Sequence, residues 1–245
     1  MDIQNFLSKK VLQLMLTLTL IIWCGINTNA QNNATPIIVG AMKNVMWQGD
    51  LKGKINLDTI SNKKHLYGLG PIEGLKGEIL ILDGKCYTSK YVNDTIQDVQ
   101  ENYNVKAPFF AYANIEQWEE ISLPDSVVTI DNLDKFINKN YGNKQPFFFK
   151  INAKVAQTKI HTMNLPNGIK VTSPQVAHDK GQKQYVIDNK EVIMLGFFST
   201  KHQSIFTHHS TFTHLHLLIN DKTMMGHLDE LKILPNSATL LIPKI

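Results

Sequence analysis

Short apolar runs separated by Gly, Pro, Asn and Asp dominate the chain beyond residue 30. Apolar runs bounded by such turn residues favour β-strands over helices. The clearest example is EILILDG, residues 78–84, which predicts a strand, a turn at Asp83-Gly84 and a second strand from Lys85. In FTHLHLLI the residue types alternate, so His214 and His216 are expected on one face of a strand and Leu215 and Leu217 on the other.

The remaining patterns complete the predicted set of elements. We expect two strands in PFFFKINAKVAQTKIHTM and a strand–turn–strand unit through Asp188-Asn189 in KQYVIDNKEVIMLGFFS. PFFAYANIEQWEEISL predicts a buried strand that runs into polar sequence, and HLDELKIL and ATLLIP predict the last strands. The segment TIDNLDKFINKNY predicts an amphipathic helix entered at Asp131, and IIVGAMKNVMWQGD predicts a first strand or helix that turns at Gly49-Asp50. Strands predominate without regular alternation with helices. The expected fold class is therefore α+β, with mixed or mainly antiparallel sheets and a few helices.

The N-terminal segment has the features of an export signal. Lys9 and Lys10 precede the apolar run VLQLMLTLTLIIWCG, and Thr28-Asn29-Ala30 forms a small-residue cleavage site. The run is short for a membrane span of about 20 apolar residues, so we predict a signal peptide over residues 1–30, no membrane span and one domain over 31–245. Export would deliver the protein to the periplasm or the outside. A lipid-modified Cys24 is the second interpretation, because the bulky Trp23 before it fits that modification poorly.

Composition excludes some partners. The net charge is +4, and the lysines are scattered without a basic stripe interleaved with aromatic residues, so nucleic acid binding is not expected. Removal of the signal peptide would leave only Cys86 and hence no intrachain disulfide. The chain contains no arginine, so bidentate recognition of a carboxylate by a guanidinium group is not open to it.

Three histidines in THLHLLINDKTMMGH, residues 213–227, have spacing suited to a metal ion. His214 and His216 share a strand face, and the turn at 220–222 lets the chain fold back and bring His227 alongside them. Three imidazoles with an open fourth position are typical of catalytic zinc. The alternative is a set of solvent-facing residues on a half-exposed strand. A cupin is a weaker possibility, because leucines stand where its glutamate ligand would follow.

Other histidines are predicted to lie in a polar loop. His202, His208 and His209 belong to KHQSIFTHHS, which we interpret as a solvated loop, one of whose residues could line the mouth of a site.

Several segments together resemble the α-acetolactate decarboxylase family, in order along most of the chain. GAMKNVMWQGD is similar to the family's opening segment, and LYGLGPIEGLKGEILILDGKCY is similar to its glycine-rich stretch. KAPFFAYA corresponds to its Pro-Phe strand, and GFFSTKHQSIFTHHSTFTHLHLLINDKTMMGHLDE resembles the block that supplies its metal ligands. The most specific element is the His-X-His pair followed after eleven residues by Gly-His.

The resemblance implies a zinc enzyme that converts 2-acetolactate to acetoin and CO₂, and a homodimer. It places the zinc ligands at His214, His216 and His227 and an acidic site residue at Glu78. Zinc would act as a Lewis acid toward the substrate oxygens when CO₂ leaves. A carboxylic acid must then protonate the product carbon, and Glu78 is the candidate for that donor or for a further metal ligand. From the residues alone, a solvent-facing position on the strand is favoured for Glu78, because the alternation in EILIL does not force it inward.

The chain departs from the family pattern in two places. Where the family has an arginine that meets the substrate carboxylate, this chain has Lys150 and His161, with Lys159 nearby. A lysine supplies a point charge rather than a two-point clamp, and we expect Lys159 or His161 to take the arginine's place. The family also contributes a glutamate near the metal after its last strand, whereas no acidic residue follows Glu230 here.

Two interpretations follow from these departures. The first is an exported decarboxylase acting on 2-acetolactate or a similar hydroxy-keto acid. The second is a member that binds zinc and a small hydroxy-keto acid without decarboxylating acetolactate. Zinc is expected under both, so metal content does not separate them and turnover does.

Overall fold

The computed structural model describes residues 34–144, 146–207 and 211–244. The predicted signal peptide, Cys24, His208 and His209 lie outside these ranges. The α-helices are α1 (Met42–Gln48), α2 (Ile130–Tyr141) and α3 (Pro174–Gly181). The strands are β1 (Ile37–Val39), β2 (Ile55–Asn56), β3 (Leu66–Pro71), β4 (Glu78–Leu82), β5 (Lys85–Asn93), β6 (Ile96–Glu101), β7 (Lys106–Ala107), β8 (Phe110–Asn114), β9 (Trp118–Ser122), β10 (Phe147–Met163), β11 (Gln182–Phe198), β12 (Thr213–Ile219), β13 (Met225–Ile233) and β14 (Thr239–Pro243).

Two six-stranded antiparallel sheets form the body of the fold, which confirms the α+β prediction. The first sheet has the order β1-β8-β3-β4-β5-β6, and the second has the order β11-β12-β13-β10-β14-β9. The short strands β2 and β7 pair separately. The predicted hairpin at Asp83-Gly84 is present, because Leu82 pairs with Lys85 at its end.

The second sheet closes on itself. Besides its place beside β13 and β14, β10 pairs with β11 along nearly its whole length, from Phe147 opposite Phe198 to Met163 opposite Gln182. The four strands β10, β11, β12 and β13 therefore form a continuous circuit of hydrogen-bonded neighbours. Closing a sheet in this way satisfies the strand edges within the circuit.

Two predictions about β10 and β11 are wrong. Residues 147–163 form one strand rather than two, and Asp188-Asn189 lies inside a single strand over 182–198. The two strands keep the same register on both sides of Asn189, which has a positive φ of 51°, so the chain does not reverse there. The dipeptide marks a local irregularity in a continuous strand, not a turn.

The helices confirm some predictions and add one element. The N-terminal segment contains both a strand and a helix, β1 and α1, and α1 ends at Gly49 in the left-handed conformation. The predicted amphipathic helix is α2, capped by the Thr129 side chain one residue before its start. The sequence prediction missed α3, although Ser173 as cap and Pro174 in the first turn are typical start signals.

The face of β12 that carries His214 and His216 is turned toward the first sheet. Leu218, on that face, packs in a cluster with residues of both sheets, including Leu80 of β4 and Leu195 of β11. Leu215 and Leu217 belong instead to a second cluster with residues of α2. The predicted alternation along β12 is confirmed, and both faces of the strand are buried.

None of the helices in the described ranges is long and apolar enough to cross a membrane.

Gly226 lets β13 run close to β10. A Cβ atom there would collide with the backbone carbonyl of His161 on the neighbouring strand. We therefore expect Gly226→Ala to lower the free energy of unfolding by about 1–3 kcal/mol, the usual cost of forcing extra atoms into a packed core. Urea denaturation followed by circular dichroism measures this change. An unchanged denaturation midpoint would contradict the close strand approach.

Candidate metal centre

The strand register places three histidines in one row. His216 of β12 lies directly opposite His227 of β13, and His227 lies directly opposite His161 of β10. Side chains of directly opposed residues point to the same face of a sheet, so the three imidazoles stand side by side. His214, two residues before His216, joins them on that face.

The three predicted metal ligands come together. One ring nitrogen from each of His214, His216 and His227 lies within 4.8 Å of the other two. His214 and His216 are buried and His227 is partly buried. The alternative of three solvent-facing residues is therefore wrong for the strand pair, and the group can hold one metal ion.

Backbone carbonyls fix the rings of the strand pair. Nδ1 of His214 lies 2.7 Å from the carbonyl oxygen of Phe206, and Nδ1 of His216 lies 2.9 Å from that of Ile79. A carbonyl oxygen only accepts hydrogen bonds, so each Nδ1 carries the proton and each neutral ring keeps its lone pair on Nε2. This is the arrangement that commonly orients histidine ligands of metals.

The environment of His216 fits a bound cation. Its Nε2 atom is buried and meets no hydrogen-bond partner in the described part of the chain. Burial, together with the neighbouring His214 and His161, holds the pKa of His216 well below its usual range. Metal ligands must be neutral imidazoles, and an unpartnered buried acceptor costs about 1–3 kcal/mol. A cation at Nε2 would satisfy it.

Glu78 lies beside this cluster rather than in solvent. At the start of β4 it is 3% exposed, and Oε1 accepts a hydrogen bond from the backbone N–H of Met163 at 3.2 Å. Its Oε2 is 3.7 Å from Nε2 of His216. Burial raises the pKa of Glu78 to about 8, against the opposing charge of His161. The solvent-facing alternative for Glu78 is wrong.

His161 is held by an aspartate that the sequence analysis did not single out. Between the pairs Lys159–Glu230 and Ile160–Leu228, β13 has one extra residue, Asp229. Such a bulge re-aims a side chain, and Nδ1 of His161 donates to Asp229 Oδ1 at 2.7 Å. Burial lowers the pKa of His161, but the hydrogen bond and charge of Asp229 outweigh it, so the net direction is upward.

The second oxygen of Asp229 is also held. Gln182 donates to Oδ2 at 3.2 Å and Gln184 at 3.4 Å, both from the start of β11. The Asp229 carboxylate is thus fixed from two sides, and it in turn fixes the ring of His161.

One cavity borders most of these groups, although His216 is not among the described residues that line it. It has a volume of about 140 Å³, which is close to the volume that holds one benzene molecule in an apolar protein cavity. Its polar lining consists of Glu78, His161, His178, His214, His227 and Asp229. Apolar side chains, among them Met42, Met46 and Phe206, close the rest. The cavity suits a small polar ligand bound next to a metal ion.

The two lysines proposed from the sequence lie elsewhere. Nζ of Lys159 pairs with Oε1 of Glu230 at 2.7 Å and is partly exposed. Nζ of Lys150 lies over the rings of Trp118 and Tyr67, at 5.6 and 6.0 Å from their centres. Neither is among the described residues that line the cavity. Of the three candidates for the arginine's place, the structure brings only His161 to the metal ligands.

Of the three histidines in the polar loop, His202 is the one within the described ranges, and it lies outside the cavity. Nδ1 of His202 lies 2.8 Å from the Ser199 hydroxyl, and the side chain is not among the described cavity residues. Two site residues were missed from the sequence, Asp229 and His178. Asp229 follows His227 by two residues, which is the spacing of one strand face, and that signal could have identified it.

Known proteins share this fold. The solved acetolactate decarboxylase from Bacillus subtilis subspecies spizizenii superimposes with a TM-score of 0.68 at 19% identity, covering 86% of this chain and 87% of that one. The enzyme from Bacillus subtilis strain 168 gives 0.68 at 19%, covering 86% of each. A Staphylococcus aureus protein of unknown function, similar to alpha-acetolactate decarboxylase, gives 0.70 at 16%, covering 85% of each.

Sequence comparison agrees with the structural matches. None of the curated proteins compared with the sequence matches it. A family model does match: that of alpha-acetolactate decarboxylase, over residues 39–244. The match spans most of the chain and includes every residue of the cavity and the histidine cluster. The chain therefore belongs to the alpha-acetolactate decarboxylase family.

Proposed function

We propose that this protein is a zinc-dependent decarboxylase that converts 2-acetolactate to acetoin and CO₂. The observation that carries the proposal is a cluster of three histidines that could hold a metal, next to a small cavity. Two of the three, a buried carboxylic acid and a carboxylate-paired histidine line that cavity. Each group has a separate task in that reaction. Family membership supports the same reaction.

The metal would be held by His214, His216 and His227. Three neutral imidazoles leave one position open, which is the usual arrangement of catalytic zinc. A bound Zn²⁺ would supply a Lewis acid to the keto and hydroxyl oxygens of the substrate. The buried lone pair of His216 and the fixed rings of His214 and His216 prepare the site before the ion binds.

Glu78 is suited to donate the proton. When the bond to the carboxylate breaks and CO₂ leaves, the electron pair stays on the substrate carbon, and one proton must be added there. A carboxyl group with a pKa of about 8 is largely protonated at neutral pH. Glu78 can therefore act as a general acid, and the backbone N–H of Met163 holds its other oxygen in place.

We assign the binding of the substrate carboxylate to His161. Asp229 occupies Nδ1 of this ring, so Nε2 is the nitrogen that can meet a ligand in the cavity. The aspartate also favours the cationic form of the ring. A positively charged histidine can take the role of the family's arginine as a single-point donor. Lys159 remains outside the proposed site because it is paired with Glu230.

We also propose that residues 1–30 direct export, to the periplasm or outside the cell, and that the chain forms a homodimer. The charged and apolar pattern of the N-terminus supports export. The family resemblance supports the dimer. Size-exclusion chromatography with light scattering tests the dimer, and N-terminal sequencing of the exported protein tests cleavage after Ala30.

Turnover tests the function directly. Purified protein is incubated with racemic 2-acetolactate, with added zinc and with a chelator, and acetoin is measured. We expect chelator-sensitive acetoin formation well above the spontaneous rate. A folded, zinc-loaded sample without turnover would favour the second interpretation, a member that binds zinc and a hydroxy-keto acid without this reaction.

The ligand assignment predicts loss of metal from His216→Ala. Loss of a residue that merely orients a ligand costs about 10–100-fold in metal affinity, so loss of a ligand should cost at least as much. We expect zinc, measured by inductively coupled plasma mass spectrometry after dialysis, to fall to about one-tenth of the wild-type content or less. His202→Ala, outside the cavity, is the control and should retain zinc. Full zinc in His216→Ala would refute the assignment.

The raised pKa of Glu78 predicts a pH-dependent stability difference in the metal-free protein. Between pH 4.5 and about 8 the folded state keeps a proton that the unfolded state has lost, so stability falls as pH rises in this window. Glu78→Gln does not titrate. We therefore expect the free energy of unfolding of Glu78→Gln in urea, minus the wild-type value, to rise steadily from pH 4.5 to 8. A difference that is constant over this window would contradict the assigned pKa.

The pairing of Asp229 with His161 predicts a substrate-binding defect in Asp229→Asn. Asparagine still accepts a hydrogen bond but lacks the charge. Hydrogen bonds to charged groups contribute about 1.5–3 kcal/mol, so we expect KM for 2-acetolactate to rise about tenfold or more while zinc content stays unchanged. The neighbouring Glu230→Gln removes only a surface ion pair and should leave KM unchanged. Equal effects of both variants would count against a specific role for Asp229.

A further inference from the structure

A second pocket lies beside the metal cavity. It has a volume of about 170 Å³ and is formed mainly by α1 and α3. Lys43 and Trp47 line it and are both exposed, Trp47 to 61%. A lysine at the mouth of a pocket attracts anionic ligands, so this pocket suits a small carboxylate on its way inward.

The two spaces share one wall. Met42, Met46 and His178 line both the outer pocket and the metal cavity. The His178 ring lies 6.2 Å from that of His161, the residue that we assign to the substrate carboxylate. A ligand that passes from the outer pocket to the metal must therefore pass these three side chains.

This wall is made of side chains that can move. The methionines are unbranched and adaptable. His178 is half-buried, and its ring makes no hydrogen bond to any residue in the described ranges. By contrast, His161, His214 and His216 are each held through Nδ1. Among these four rings, His178 is the one that packing alone holds in place.

A further cavity also borders the metal cavity and is the alternative candidate for an entrance. A cavity of about 280 Å³, lined by Ile130 and Thr211 among others, shares His227 and Asp229 with the metal cavity. Here the shared wall consists of residues on the strand β13, and Asp229 is fixed by hydrogen bonds on both oxygens. This wall is less suited to open than the wall formed by His178 and the two methionines.

We propose that His178 controls access to the metal cavity, and that small carboxylic acids enter from the outer pocket past its ring. The identity of the ligand as a hydroxy-keto acid rests on the proposed function. The position of the entrance does not, because it follows from the shared wall and the unheld ring. Substitution of His178 should therefore change how fast any small reagent reaches the cavity.

The test uses diethyl pyrocarbonate, a small reagent that modifies histidine nitrogens. Initial modification rates of His161 and His214, both inside the cavity, are measured by peptide mass spectrometry at one fixed pH in the metal-free protein. We expect His178→Ala to accelerate both reactions and His178→Trp to slow both, each by about tenfold, which corresponds to a change in the access barrier of about 1.4 kcal/mol. Thr211→Trp, which narrows the other cavity, should leave both rates unchanged.

Each result decides the proposal. His178→Ala needs no new space, so it remains informative if the tryptophan variant does not fold. Unchanged rates in both His178 variants, or slowing by Thr211→Trp instead, would overturn the assigned entrance. Acetoin formation is measured on the same proteins. Suppose that the His178 variants change the modification rates as expected, while the wild-type protein forms no acetoin. The entrance would then stand, and only the proposed reaction would be rejected.

Discussion

The structure depends on the antiparallel register of β12, β13 and β10. With His216 opposite His227 and His227 opposite His161, three residues distant in sequence become neighbours on one sheet face. A shift of one residue in either pairing would turn side chains to the opposite face. The closed circuit of β10 to β13 stabilises this register, and Gly226 allows the strands to approach closely enough for it.

The site is built from polar groups placed in a core, and this placement sets their chemistry. Buried polar atoms need partners, and most here have one: carbonyls hold His214 and His216, Met163 holds Glu78, and Asp229 holds His161. The buried environment then gives each titratable side chain of the site its own protonation state near neutral pH. It keeps His216 neutral and Glu78 protonated near neutral pH, while the paired aspartate favours the cation at His161. A metal ligand, an acid and an anion-binding group thus arise next to one another from the same kind of residue environment.

Much of this arrangement could be predicted from residue patterns, and the failures have physical causes. Alternation in THLHLLI and the turn after it predicted the three-histidine cluster. Alternation could not decide the position of Glu78, because EILIL is buried on both faces of its strand. Asp188-Asn189 resembles a turn by composition, yet pairing with β10 on both sides keeps the strand continuous. The spacing of Asp229 from His227 could have marked it as a site residue, but its pairing with His161 depends on a bulge that only the register reveals.

The most direct test of the metal centre is X-ray absorption at the zinc edge of the purified protein. Zinc bound by His214, His216 and His227 should show three imidazole nitrogens at about 2.0–2.1 Å, with the remaining positions filled by oxygen. This spectrum would establish the group on which the proposed chemistry depends. A protein that holds no stoichiometric metal, or a spectrum without imidazole scattering, would contradict the account.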